Sequence, residues 1–361
     1  DLARGPLMRA RLFRLQPGEH VLVITTHHIL TDGWSQNVIQ RDLWAAYEAL
    51  ADDREPSLQP LSIQYGDFVD WQRKWLDSDS AREQIDFWNK QLAAPLPVLD
   101  LPIDRPSQGC SSSHGPMETL LLPEDLVRSL KRLGQSQDAT TFMVMLTAYS
   151  ALLNRYTRQE DILIGSPVAN RRPETESLIG PFAGPVSLRL NLSGNPTLRE
   201  LLSRVRDITL DALSNTDLPF EVLLEKLDVR SVRGRNPLSQ CYFFYQVAFL
   251  QARELRGLTV TPMPDFGLGT HFELQMGLLE RREGVRAQLE YDPNLFEAEA
   301  IKEVLSCYQA VLRAFVTDPD QRLADLPLAA QKRLDLAVPA HEPQPEISLP
   351  QGETEKKLTK I

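Results

Sequence analysis

The sequence predicts an α/β fold in two layers, on three observations. Short runs that alternate apolar with polar residues, or are apolar throughout, recur along the chain as strands. Longer segments between them carry apolar residues three and four apart, the spacing of a helix buried along one face. No short-period repeat underlies the alternation, so packed layers are expected and not a solenoid.

The elements follow in chain order. Residues 8–15 and 21–26 read as paired strands around Pro17-Gly18, the second a buried one because Val21-Leu22-Val23-Ile24 is continuously apolar. His27-His28-Ile29-Leu30-Thr31-Asp32-Gly33-Trp34-Ser35 comes next, with Ser35 placed as a helix N-cap. Ile39, Leu43, Tyr47 and Leu50 then make a helical stripe, and residues 82–92 a second helix with Ile85, Trp88 and Leu92 on one face. Pro95, Pro97, Pro102, Pro106 and a run of three serines mark a connector over 96–114.

Beyond it, Phe142, Met145, Tyr149, Leu152 and Tyr156 make a helical stripe, and residues 161–165 a buried strand. Val186, Leu188, Leu190 and Leu192 alternate with polar residues as a half-buried strand. Leu198, Leu201, Leu202, Val205 and Ile208 form a helix, and Pro219 suits the first turn of a short one carrying Phe220 and Leu224. Strands are expected near 241–246, 259–263, 272–279 and 286–291, and a closing helix with Ile301, Leu305, Tyr308, Leu312 and Phe315. This divides the chain into 1–95, the connector 96–114, a second part 115–338, and a Pro- and Glu-rich linker 339–361.

Composition narrows the function. The net charge of −10 is spread along the chain, which argues against non-specific binding to nucleic acid or to an anionic membrane. The apolar runs are too short to span a bilayer, and no secretory signal opens the chain. Cys110, Cys241 and Cys307 have no metal-ligand spacing and point to a reducing cytoplasm without a disulfide framework.

The histidine segment is the strongest chemical signal. It places two histidines, an aspartate and a glycine within seven residues on a strand-to-helix loop. Histidine exchanges a proton near neutral pH. Asp32 orients the loop through backbone N–H groups or an arginine. Gly33 permits a backbone angle closed to side-chain-bearing residues, and Trp34 buries area at the start of the helix.

These residues resemble the HHxxxDG signature of the condensation domains of non-ribosomal peptide synthetases. Four more segments resemble that family's motifs, in its order: Tyr65-Gly66-Asp67-Phe68-Val69-Asp70-Trp71, Ile179-Gly180-Pro181-Phe182, Asn215-Thr216-Asp217-Leu218-Pro219-Phe220-Glu221 and Arg235-Asn236-Pro237-Leu238. The likeness runs over about 1–335. Departures are Ala183-Gly184-Pro185 where the family has Val-Asn-Thr, Thr216 for the usual Gln, and Ser231-Val232-Arg233-Gly234 for Arg-Asp-x-Ser.

The resemblance implies two chloramphenicol-acetyltransferase-like lobes in a V, the first incomplete, in a fragment of a longer polypeptide. It implies peptide-bond formation between a carrier-bound acyl or peptidyl thioester and a carrier-bound aminoacyl group. His28 stands at the meeting point, His27 supports the loop, and Asp32 is structural with Arg189 as candidate partner. No cofactor is bound directly, since substrates ride on the phosphopantetheine of upstream and downstream carrier domains. Residues 354–361 look like the opening helix of such a carrier. A coenzyme-A-dependent acyltransferase of related fold, to which Asp265-Phe266-Gly267-Leu268-Gly269 points, and a non-catalytic partner-recruiting domain are the alternatives. An epimerisation domain fits less well, as Trp34-Ser35 reverses its order, and a heterocyclisation domain would replace the histidines with aspartates.

Overall fold

The chain begins with an antiparallel hairpin, β1 (Met8–Gln16) and β2 (Glu19–Thr26), in a computed structural model that describes residues 2–104, 115–227, 238–248, 252–263, 270 and 272–326. Gly18 closes the hairpin in the left-handed region, at φ +84°, where a side chain would be strained. The strands are where the sequence puts them, and Leu12 faces Leu22 across the ladder. The expectation that β2 is buried is corrected: Leu12, Phe13, Leu22 and Val23 are all exposed, because among the described residues the two strands pair only with each other.

Three helices follow: α1 (Gly33–Ala51), α2 (Tyr65–Leu76) and α3 (Asp79–Gln91). The first begins earlier than expected. Asp32 is its N-cap and Ser35 lies inside the first turn. Helix α2 starts with a reciprocal cap, in which the Gln64 N–H donates to the Asp67 carboxylate at 2.8 Å. Helix α3 is capped by Ser78, whose hydroxyl accepts from the Ala81 N–H at 3.2 Å.

The remainder builds one large sheet and its helices: β3 (Met117–Leu121), α4 (Glu124–Ser136), α5 (Thr141–Thr157), β4 (Asp161–Val168), β5 (Gly184–Asn191), α6 (Leu198–Leu213), α7 (Phe220–Lys226), β6 (Cys241–Val247), β7 (Arg253–Leu255), β8 (Leu258–Val260), β9 (Leu274–Arg281), β10 (Gly284–Tyr291) and α8 (Ala298–Thr317). The six strands run in the order β3-β10-β9-β6-β4-β5, with β4, β6 and β9 parallel and the other pairs antiparallel. Strands β7 and β8 form a separate small ladder.

Period-two alternation sorts the sheet into two faces. Ile162, Ile164, Leu188, Cys241, Phe243, Met276, Leu278, Ala287 and Leu289 point to one side, into a single core with Leu130 of α4, Tyr149 of α5, Val205 of α6 and Leu312 of α8. The helix α5 is buried over most of its circumference and so forms the centre of the helical layer. The Tyr308 hydroxyl reaches its backbone, donating to Met145 O at 3.0 Å. Cys241 and Cys307 are free and buried, and burial pushes the Cys241 thiol up to about 12, leaving it unreactive in the folded chain.

Elements not singled out from sequence are α2, α4, β3 and β7. The stripe of α4 is present in Leu126, Leu130 and Leu133, at spacings of four and three. Pro219 precedes α7 as its N-cap instead of sitting in the first turn. By its contacts the chain divides into Asp1–Ala329, which holds every described residue, and Ala330–Ile361. Cys110, Arg235-Asn236-Pro237, Asp265-Phe266-Gly267-Leu268-Gly269 and the linker 339–361 lie outside the described residues. Among the described residues no helix is long and apolar enough to cross a membrane.

Candidate functional site

A short series of hydrogen bonds shapes the backbone between β2 and α1. The His27 N–H donates to Leu7 O at 2.9 Å, extending the hairpin by one bond. Residues His28–Leu30 then make a single 3-10 turn. The Leu30 N–H donates to His27 O at 3.0 Å and the Thr31 N–H to His28 O at 3.3 Å. His27 caps this turn, its Nδ1 accepting from the Ile29 N–H at 3.0 Å. An Nδ1 that accepts leaves the proton of the neutral ring on Nε2. His28 is therefore held by its backbone while its ring is exposed.

Asp32 lies four residues on and is buried, its side chain only 1% exposed. Each carboxylate oxygen accepts three hydrogen bonds. Oδ1 takes the Ser35 N–H at 2.8 Å, the Ser35 hydroxyl at 2.7 Å and the Arg171 guanidinium at 2.9 Å. Oδ2 takes the same guanidinium, the Phe182 N–H and the Ala183 N–H, each at 3.0 Å. Burial alone would push this carboxyl up. The Ser35 N–H and hydroxyl, the Arg171 charge and the Ala183 N–H outweigh it and hold the carboxyl below its usual range.

Arg171 is the partner of Asp32, and Arg189 is not. Arg189 pairs instead with Asp161 at 2.7 Å and donates to Ala93 O at 2.6 Å and Pro95 O at 3.0 Å, on the far side of the sheet from the core. Arg171 is better placed because it leaves the end of β4 directly toward α1. Its other nitrogen donates to Thr175 O at 2.8 Å and Leu178 O at 2.7 Å, and its guanidinium carbon stands 4.0 Å from the centre of the Phe182 ring. Sequence reasoning missed Arg171; the available signal was the doubled arginine just upstream of Ile179-Gly180-Pro181-Phe182.

Two other expectations change at this point. Gly33 is the first residue of α1 and has no positive φ, so the loop does not use the freedom of a glycine there. Trp34 stays exposed, and its indole N–H donates to Glu176 O at 2.9 Å, tying α1 to the loop 170–183.

That loop gathers the motifs. Gly180 exchanges hydrogen bonds with the Ser35 hydroxyl at 3.0 and 3.1 Å. The Phe182 ring lies 5.1 Å from that of Tyr65 and 4.7 Å from that of Phe68, both on α2. Arg172 stands 4.3 Å from the Trp71 ring and pairs with Asp217 at 2.8 Å. Gln84 of α3 accepts from the Leu218 N–H at 3.1 Å, and the Trp88 indole N–H donates to Asn215 O at 2.8 Å. Segments 65–71 and 179–182 thus meet beside Asp32 and its helix, and 215–221 joins them through Arg172 and α3, although all are widely separated along the chain. The Ala183-Gly184-Pro185 departure leaves this intact, because position 183 holds Asp32 through its backbone N–H.

Among the described residues no three of His, Cys, Asp or Glu are grouped to hold a metal ion. The site offers an exposed histidine on a hydrogen-bonded turn.

A sequence model of the condensation domain matches residues 1–334. Malpinin synthetase of Mortierella alpina is 40% identical over 332 residues, covering 92% of this chain and 4% of that synthetase. Phosphinothricin tripeptide synthetase PhsC of Streptomyces viridochromogenes is 36% identical over 343 residues, covering 92% of this chain and 31% of that protein. The chain thus spans a small part of the curated relatives it matches. Among solved structures, the X-domain from teicoplanin biosynthesis superposes with a TM-score of 0.81 at 31% identity, covering 91% of this chain and 76% of that one. The four-domain nonribosomal peptide synthetase AB3403 superposes with a TM-score of 0.81 at 21% identity, covering 92% of this chain and 26% of that one.

Proposed function

The chain belongs to the condensation-domain family of non-ribosomal peptide synthetases, and from that premise we propose that it joins a carrier-bound acyl or peptidyl thioester to a carrier-bound aminoacyl group. The acceptor amine attacks the thioester carbonyl. A carbon–nitrogen bond forms, the carbon–sulfur bond breaks, and the amine's proton leaves with the departing thiol. An α-amino group has a pKa of about 8, so its deprotonation is inexpensive near neutral pH. Positioning the amine and stabilising the tetrahedral intermediate are then the larger demands. His28 is the residue proposed to hydrogen-bond the attacking nitrogen and relay its proton. His27 supports the turn, and Asp32 keeps α1 and the loop 170–183 in place. Both substrates arrive on phosphopantetheine arms of partner carrier domains.

The observation that carries this reading is the division of labour within one short segment. Asp32 accepts six hydrogen bonds and is buried, whereas His28, on the same pinned backbone, presents its ring to solvent. In the intact polypeptide carrying this chain, His28→Ala is expected to lower single-turnover amide formation between loaded carriers by about 10²-fold or more. Its melting temperature should stay within about 2 °C of wild type, because an exposed side chain contributes little to stability. Near-wild-type turnover in this variant would remove His28 from the mechanism. Transfer from free coenzyme A thioesters at a rate equal to that from carriers would favour the related acyltransferases.

A further inference from the structure

The turn His28–Leu30 has no core to shape it. None of its residues is buried, and Ile29 and Leu30 are exposed. A 3-10 turn also has poorer hydrogen-bond geometry than an α-helix, so its form depends on the few bonds around it. The Leu30 N–H and the Thr31 N–H make the two backbone bonds, the second a long one at 3.3 Å. The Thr26 and Thr31 hydroxyls, 3.2 Å apart, join the chain on either side of the turn. The remaining bond is the one from the Ile29 N–H to His27 Nδ1, at 3.0 Å. It satisfies an amide that the start of a helical turn leaves without an internal partner.

This bond encloses His28. The ring it closes runs from Nδ1 through the His27 Cβ and Cα, along the whole His28 backbone, to the Ile29 nitrogen. It therefore restrains the φ and ψ of His28, and with them the direction of the His28 Cα–Cβ bond. What it asks of position 27 is a bare acceptor two bonds beyond Cβ. A proton on Nδ1 would set donor against donor, so an imidazolium does not make the bond. An asparagine places its Oδ1 the same two bonds beyond Cβ, and such side chains bond their own backbone two residues on. Proton transfer at position 27 is not needed for any of this.

We infer that His27 is a positioning residue for the proposed reaction: its unprotonated Nδ1 fixes the backbone of His28 and so aims the His28 ring, and an asparagine does the same work. The inference rests on the condensation reading in one respect, that His28 meets the attacking amine. Of the two adjacent histidines, one is there as an imidazole and the other as an acceptor.

Three variants separate this role from bulk and from proton transfer. His27→Asn keeps the acceptor, His27→Leu keeps bulk without it, and His27→Ala keeps neither. In the intact polypeptide, single-turnover amide formation between loaded carriers is expected to fall about tenfold in His27→Leu and His27→Ala, because a misaimed reacting group costs at least that much. His27→Asn should stay within about twofold of wild type, its Oδ1 replacing Nδ1. All three should melt within about 2 °C of wild type, since the side chain is exposed. The bond itself is read by nitrogen NMR on the 361-residue chain at about pH 8, above the usual imidazole range. Nδ1 of His27 should be unprotonated and show a scalar coupling to the Ile29 amide nitrogen. The His28 ring resonances should move in His27→Leu and return in His27→Asn. A protonated Nδ1, an absent coupling, or a His27→Asn rate as low as that of His27→Leu would each overturn the inference. The coupling and the His28 shifts, found without condensation by wild type, would keep the positioning role and refute the activity. Wild-type rates in His27→Leu would do the reverse.

Discussion

A carboxylate that accepts six hydrogen bonds inside a protein is a fastener, and Asp32 fastens three parts of the chain: its own helix through Ser35, the end of β4 through Arg171, and the start of β5 through Phe182 and Ala183. Removing one side of so buried a pair leaves the other charge uncompensated. Asp32→Ala is therefore expected to lower stability by about 3–5 kcal/mol, read from denaturant midpoints at pH 7. The pH dependence has a definite sign. The folded carboxyl lies below its unfolded value of about 3.9, so its contribution is complete above that pH and is lost as pH falls through the lower folded value. The gap between wild type and Asp32→Ala should accordingly be full at pH 7 and begin to close only below about pH 4. A gap that is absent, or that closes between pH 7 and 5, would contradict the ion pair. The structural role of Asp32 is legible in the sequence because an acidic residue just before a helical stripe has local work to do. Its partner is not legible, since Arg171 and Arg189 are both distant arginines of the same region, and only the path of the chain out of β4 decides between them.

The loop 170–183 is the element on which the separate motifs converge, and Gly180 is its tightest point. A Cβ there would overlap the Tyr65 ring and stand 2.9 Å from that of Phe182. The same residue bonds Ser35 through both its N–H and its carbonyl, so any shift that relieves the ring contact is passed to Asp32. Gly180→Ala is expected to lose about 1–3 kcal/mol by overcrowding and to lower amide formation with it. An unchanged melting temperature would show that Tyr65 rotates away freely. This convergence explains what could be read beforehand. The motif segments stand out as unusual strings of residues, but their meeting point is a property of the turn between β4 and β5. Regular elements were easier: the stripes of α5, α6 and α8 and the alternation of β5 each repeat a single period over many residues. The short β3 and β7 offered too few repeats.

At the scale of the whole molecule the six-stranded sheet and the hairpin β1–β2 differ in what holds them. The six-stranded sheet packs one face against four helices, and its central strands are paired on both sides. The hairpin β1–β2 has one neighbour per strand, and Leu12 is 67% exposed. A continuous apolar run such as Val21-Leu22-Val23-Ile24 reads as a buried strand, because sequence pattern reports what a residue type prefers and not which surfaces reach it. Two-stranded ladders are marginal in water unless a further strand or helix covers them, and amide exchange reports that difference directly. In the 361-residue chain, the amides of Met8–Gln16 and Glu19–Thr26 should therefore exchange within seconds at neutral pH. Those of β4, β6 and β9 should be protected to the level of global unfolding. The turn His28–Leu30 leaves directly from β2, so its neighbours Thr31 and Ser35 form the boundary between the two regimes. Protection is expected to rise sharply there, since the Ser35 N–H is bound by the buried Asp32 carboxylate. Equal protection in β1 and β4 would mean that the apolar hairpin faces are covered in solution. In that case Leu12→Glu and Leu22→Glu, now harmless at exposed positions, should each destabilise the protein by more than about 1 kcal/mol, the size expected for a charge forced into a packed surface.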